Sequence, residues 1–331
     1  MEEPVRFHAS GQNLFGILNL PEGMGSAEST TAALVMVVGG PQTRVGSHRS
    51  YTLIARELSR RGMPVLRFDY AGIGDSDGTF MGFAHAGPSL DGALQWLHGR
   101  LPKLSKVVLW SLCDGSSACA INAASVSRPL AGLILCNPYV HSQQGRAKVF
   151  LKYYYLKRAM DPAFWMKLIS FKFNPFKAAS SLASLAKSAA LGKPDAKAAS
   201  ATATPIAGNP SGTASPEARG GAASNSGSAP VGLVGPGEDP PGLPEKVMEG
   251  LERYRGPLFL ILSEDDFTAK EFLGLYKDRG TLAKRRPGQT GVRFVAGADH
   301  TFTAAEWKGK VCDLTFEAWD AILGGKEIKP W

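Results

Sequence analysis

Four short runs of this chain, 32–38 (AALVMVV), 107–110 (VVLW), 132–136 (GLILC) and 257–262 (PLFLIL), contain no polar side chain. A run without a polar face has to be covered on both sides, and such short runs suit buried strands better than helices. The 32–38 run stops at Gly39-Gly40-Pro41. Further strands are expected at 5–8, 14–20, 64–68, 106–110 and 291–295. Amphipathic stretches lie between the strands and predict helices near 48–61, 88–99, 269–276 and 304–323, with another opening just after Cys113. Buried strands separated by helices predict an α/β fold with a mostly parallel sheet.

The alternation breaks after Asn137-Pro138. Residues 141–176 are basic and aromatic, with Phe150, Tyr153, Tyr154, Tyr155, Phe164 and Trp165 at helix-like spacing. From 177 to 253 there is no Phe, Tyr or Trp, and 187–244 is mostly Ala, Ser, Gly, Pro and Thr. That composition offers too little apolar surface to offset the entropy of ordering the chain. The expected organisation is a first part of the core at 1–138, a helical cap at 139–189, a disordered linker at 190–244 and a second part of the core at 245–331. No internal repeat is visible.

Charge and cysteine usage narrow the partners. The net charge of +8 is concentrated, because residues 141–200 carry eleven Lys/Arg against two Asp/Glu, and the rest sums to −1. The basic segment reads as a solvated cap, or as a surface for anionic lipid or an acidic carrier protein. No nucleic-acid-binding module accompanies the charge, so nucleic acid is not an expected partner. The cysteines Cys113, Cys119, Cys136 and Cys312 show no C-x-x-C spacing, which argues against zinc and a disulfide framework and suits a reducing compartment. No metal and no cofactor is expected. The acidic start Met1-Glu2-Glu3-Pro4 lacks the order of a signal peptide, and no apolar run approaches a membrane span, so a cytoplasmic protein is expected.

The run 107–110 leads into Ser111-Leu112-Cys113-Asp114-Gly115, a strand, a tight turn and a helix start. This is the context of the G-x-S-x-G elbow, with Ser111 at the first glycine position and Cys113 at the serine position. A helix N-terminus at Cys113 would favour its thiolate. Ser263-Glu264-Asp265-Asp266 follows another strand, and Asp299-His300 follows the last one. Taken singly, a packing cysteine, a loop carboxylate and a surface histidine would explain these residues. Their order and their common place after strands make Cys113, Asp266 and His300 a candidate nucleophile, acid and base. Asp265 competes with Asp266, and the spacing from Ser263 favours Asp266; Asp299 reads as a loop residue. Oxyanion-hole donors are expected from the N–H of Asp114 and from Gly40 or Gln42, because Pro41 has none. Asp69-Tyr70-Ala71-Gly72-Ile73-Gly74-Asp75-Ser76 reads as a structural turn, since no third glycine or P-loop lysine follows.

These motifs resemble those of the α/β-hydrolase superfamily. Within it, Val38-Gly39-Gly40-Pro41-Gln42, Gly46-Ser47-His48-Arg49, Leu112-Cys113-Asp114-Gly115, Asn137-Pro138, Tyr153-Tyr154-Tyr155-Leu156, Pro162-Ala163-Phe164-Trp165 and the stretch from Asp266 to Phe272 resemble the exosortase A system-associated hydrolases of the first type. The resemblance covers about 1–176 and 250–325. It implies an α/β-hydrolase fold in a bacterium that makes exopolysaccharide, and names no substrate. Dienelactone hydrolases of the superfamily also use cysteine at this place. The expected activity is hydrolysis of a small acyl ester or thioester; acyl transfer, as in the cysteine-dependent polyester synthases, and a non-catalytic scaffold are the alternatives.

Overall fold

The computed structural model describes residues 1–22, 29–141, 239–285, 288–325 and 328. Eight strands, β1 (Glu2–Ala9), β2 (Gln12–Asn19), β3 (Ala32–Val37), β4 (Val65–Phe68), β5 (Lys106–Leu112), β6 (Gly132–Cys136), β7 (Leu258–Ser263) and β8 (Thr290–Val295), form one sheet. Their order is β1-β2-β4-β3-β5-β6-β7-β8. The β1–β2 and β2–β4 pairs are antiparallel and every other pair is parallel. The unbroken apolar runs behave as expected, with every residue of β6 and β7 buried. β1 instead alternates buried and exposed positions, as an edge strand should.

The helices are α1 (Ser50–Arg60), α2 (Gly87–Arg100), α3 (Asp114–Asn122), α4 (Leu243–Arg253), α5 (Phe267–Asp278), α6 (Thr281–Lys284) and α7 (Ala305–Gly324). α1 and α7 pack together, and α7 lies along β6, β7 and β8. Trp110 on β5 is fully buried there, donating its indole N–H to Thr315 on α7 at 3.0 Å and meeting the Tyr51 ring edge-on. A second group joins α3 to α4, and α2 to β1.

One boundary differs from the sequence reading. The stretch expected to be linker as far as 244 runs into α4, whose Leu243, Val247, Met248 and Leu251 are buried. Their spacing of four, one and three puts them on one helical face, and each contributes roughly 1.5–3 kcal/mol of burial. The basic aromatic cap and the rest of the expected linker, at 142–238, lie outside the described residues.

The sheet order fixes where a ligand can bind. The chain passes from β3 to β4 on one side, then crosses to β5 on the other. The carboxyl ends of β3 and β5 therefore open a crevice at a reversal of strand order, the usual site in open α/β sheets. Gly39-Gly40 follows β3 and Cys113 follows β5, so both expected elements meet there.

Candidate active site

Cys113 stands between β5 and α3 with φ 60° and ψ −128°, a conformation that L residues rarely hold. The surroundings enforce it. Cys113 N–H donates to Cys136 O at 2.9 Å, and its carbonyl accepts from Ser116 N–H at 2.9 Å and Tyr139 N–H at 3.2 Å. The Ser116 hydroxyl donates to the carbonyls of Ser111 and Cys136. Gly115 is demanded by space, since a Cβ there would stand 2.6 Å from Val37 O and 2.9 Å from the carbonyl carbon of Val38. Ser111 is more than a small residue standing for glycine, because its hydroxyl ties β5 to β3 by donating to Val37 O at 2.5 Å.

The structure brings His300 and Asp266 together. His300 Nδ1 lies 2.9 Å from Asp266 Oδ2. Asp266 also caps α5, its Oδ2 accepting the Ala269 N–H at 2.8 Å. Burial alone would raise its pKa, but the bond to His300, that residue's charge and the N–H groups of Ala269 and Thr268 hold it below the ordinary carboxylate value. The tautomer with its proton on Nδ1 would donate to Asp266 and leave Nε2 as the acceptor. Asp265 points away; its side chain is 76% exposed and sits 3.8 Å from Lys270. Asp299 accepts the N–H groups of Thr301 and Thr303 and shapes the histidine loop, as a loop residue should.

Cys113 differs electrostatically from the sequence reading. A thiolate was expected from the helix N-terminus, but burial first and the Asp114 carboxylate second push the Cys113 pKa well above the ordinary thiol value. Its side chain engages Asp114. Among the described residues no hydrogen bond joins Cys113 Sγ to His300. Of the two alternatives for the first oxyanion donor, Gln42 is engaged, its N–H donating to Gly39 O at 3.3 Å and its side-chain oxygen accepting from Ser47. Gly40, with φ 48°, lies under the Asp114 carboxyl, whose Oδ2 would stand 2.6 Å from a Cβ there.

Two features were missed in the sequence. Asn137, fully buried with φ 41°, accepts the Ser263 N–H at 2.7 Å through Oδ1. Its Nδ2 donates to Ser263 Oγ and His300 O, both at 2.8 Å. Only the Asn137-Pro138 pair at a strand end hinted at it. Tyr51 is the second, its hydroxyl donating to Val37 O and accepting the Leu112 N–H, each at 3.1 Å. Elsewhere the Asp69–Ser76 turn is structural, with the Arg44 side chain paired to Asp69 and with the Ser76 hydroxyl donating to Asp69 O. Among the described residues no cluster of side chains could hold a metal ion, and no helix is long and apolar enough to cross a membrane.

No protein-family model matches the sequence, and no curated protein matches it by sequence. Solved structures are similar in fold. An esterase of Pyrococcus furiosus is 15% identical with a TM-score of 0.54, covering 96% of this chain and 91% of its own. An α/β hydrolase of a Penicillium species is 17% identical with a TM-score of 0.54, covering 99% of each chain. A dienelactone hydrolase of Anabaena variabilis is 12% identical with a TM-score of 0.53, covering 96% of each. With the eight-stranded, mostly parallel sheet and its flanking helices, these likenesses show that the chain has the α/β-hydrolase fold.

Proposed function

We propose that the protein hydrolyses a small acyl ester or thioester through Cys113, His300 and Asp266. The observation that carries this reading is the 2.9 Å His300–Asp266 bond beside a strained cysteine at the crevice between β3 and β5. On substrate binding the Cys113 thiol gives its proton to His300 Nε2 as sulfur bonds to the acyl carbon. Asp266 orients the imidazole and stabilises its cation. The carbonyl electron pair moves onto oxygen, which the N–H groups of Asp114 and of Gly40 or Gln42 receive. Collapse expels the leaving group, which takes the proton from His300. Water activated by the same histidine then releases the acid.

Within the superfamily we place the chain with the exosortase A-associated hydrolases and in the cytoplasm, on the strength of the motif runs, the free cysteines and the ordinary composition. The test is incubation with a panel of acyl esters and acyl thioesters, following the mass of Cys113 and the products. An acyl adduct on Cys113, free acid as product and loss of both in Cys113→Ala support the reading. Acyl groups delivered to an added amine, thiol or alcohol in preference to water would make the protein an acyltransferase. No adduct and no turnover with any member would sink the reading.

A further inference from the structure

The side chain after the nucleophile lies in an unusual place. Asp114 opens α3, yet its carboxyl is folded back over Gly39 and Gly40. A Cβ on Gly40 would stand 2.6 Å from Asp114 Oδ2, and one on Gly39 would overlap Oδ1. The same carboxyl accepts the Gly115 N–H at 3.1 Å, lies against its own N–H and touches the Cys113 thiol. It therefore stands among the groups that surround a developing oxyanion. A carboxylate fixed there would repel that negative charge. A carboxylic acid there would be a donor aimed at it, as apolar surroundings allow elsewhere.

We propose that Asp114 is a further catalytic residue, a protonated carboxyl that donates a hydrogen bond to the substrate's carbonyl oxygen beside the main-chain donors. The proposal rests on the reading of Cys113 as the nucleophile. Sulfur bonds to the acyl carbon, the thiol proton passes to His300, and the carbonyl pair becomes an oxyanion that accepts the Asp114 hydrogen bond. When the oxyanion collapses the acid keeps its proton, so no net transfer to Asp114 is needed.

The surroundings shift Asp114 toward the acid form. Burial pushes the Asp114 pKa up to about 6, against the lowering effect of the Gly115 N–H, its own N–H, His300 and the Cys113 thiol. The titratable groups that face it are Cys113 on its own turn, His300 from the loop after β8, Tyr51 from α1 and Tyr70 from the loop after β4. Asp266 acts on the neighbouring thiol from the loop after β7. Burial of both phenols pushes their pKa values up, which keeps them neutral. An acyl group covering the crevice excludes water and favours the neutral acid further.

The test uses an aliphatic trifluoromethyl ketone, whose carbonyl carbon takes the Cys113 sulfur and whose oxygen becomes a stable oxyanion without turnover. In the full-length protein the inhibition or dissociation constant should rise about tenfold per pH unit above pH 6, as the acid is lost. Asp114→Asn, which keeps a donor at every pH, should flatten that limb. Asp114→Ala should flatten it as well and weaken the adduct at pH 6 by tenfold or more, with circular dichroism as the control for folding. A wild-type constant independent of pH between 6 and 8, or an Asn variant with the same slope, would overturn the role of Asp114. A ketone that forms no adduct, or one that survives Cys113→Ala, would overturn the nucleophile and this proposal with it.

Discussion

Asn137 Nδ2 donates to the main-chain carbonyl of His300 at 2.8 Å, joining two positions 163 residues apart. Through Ser263 the same amide also holds the end of β7, and the Ser263 hydroxyl donates to Asp299 O at 2.8 Å. One buried side chain thus sets the separation of the loops that carry Asp266 and His300. Removing it leaves the Ser263 N–H and the His300 carbonyl without partners, at about 1–3 kcal/mol for each group that water does not reach. Asn137→Ala should lower the melting temperature by several degrees and kcat by ten- to a hundredfold, with little change in KM. A variant with wild-type kcat would show that the loops hold their places unaided.

The acid can be told apart by substitution. Asp266→Asn removes the charge that faces the imidazolium and supplies an amide that favours the wrong tautomer. The corresponding change costs about ten-thousandfold in serine enzymes, and less is expected here. We expect a loss of a hundredfold or more for Asp266→Asn and less than tenfold for Asp265→Asn, measured as turnover of the active ester. The reverse order would transfer the role to Asp265.

Cysteine labelling follows from access and charge together. Cys113 is partly exposed, while Cys119, Cys136 and Cys312 are buried. Iodoacetamide should therefore alkylate Cys113 first in the folded protein. At pH 7 the reaction should be slower than with a free thiol, since burial raises the thiol pKa. Mass-spectrometric mapping against a cysteine peptide checks both statements. Labelling faster than the peptide would mean that a thiolate is already present.

Asp114 also ties stability to pH. Its pKa is raised in the fold, so the fold is favoured fully below the unfolded-state value and that advantage is lost as pH rises through about 6. The shift from 3.8 to about 6 corresponds to about 3 kcal/mol at pH 8. Asp114→Asn should then raise the melting temperature at pH 8 and change it less at pH 5. An equal effect at both pH values would mean that Asp114 titrates normally.

The elbow leaves no room for one more methyl. Gly115→Ala would drive a Cβ against Val37 O and the Val38 carbonyl carbon, both main-chain atoms that cannot rotate away. A loss of about 1–3 kcal/mol is expected, read from chemical denaturation. An unchanged midpoint would show that β3 and α3 can separate without cost.

The core strands were legible because no polar residue interrupts β6 or β7, and a strand so placed can only be covered on both faces. Cys113, Asp266 and His300 were singled out because each follows a strand, and strand ends are where this architecture opens. α4 was overlooked because its pattern of Leu243, Val247, Met248 and Leu251 begins directly after a Gly- and Pro-rich stretch. Asn137 was hidden for a different reason. Its partners lie 126 and 163 residues away, and no local spacing records a contact of that kind. The raised thiol pKa was equally hidden, because the Asp114 side chain could have turned outward instead of back over Gly39.

β6 ends at Cys136 and β7 begins at Leu258, yet the two strands lie side by side in parallel register from Leu133–Leu258 to Cys136–Ile261. Cys113 belongs to the piece before this junction, and Asp266 and His300 to the piece after it. The β6–β7 ladder and the Asn137 amide bring these two pieces together, so Cys113, Asp266 and His300 share one end of the sheet although the chain places them in separate halves.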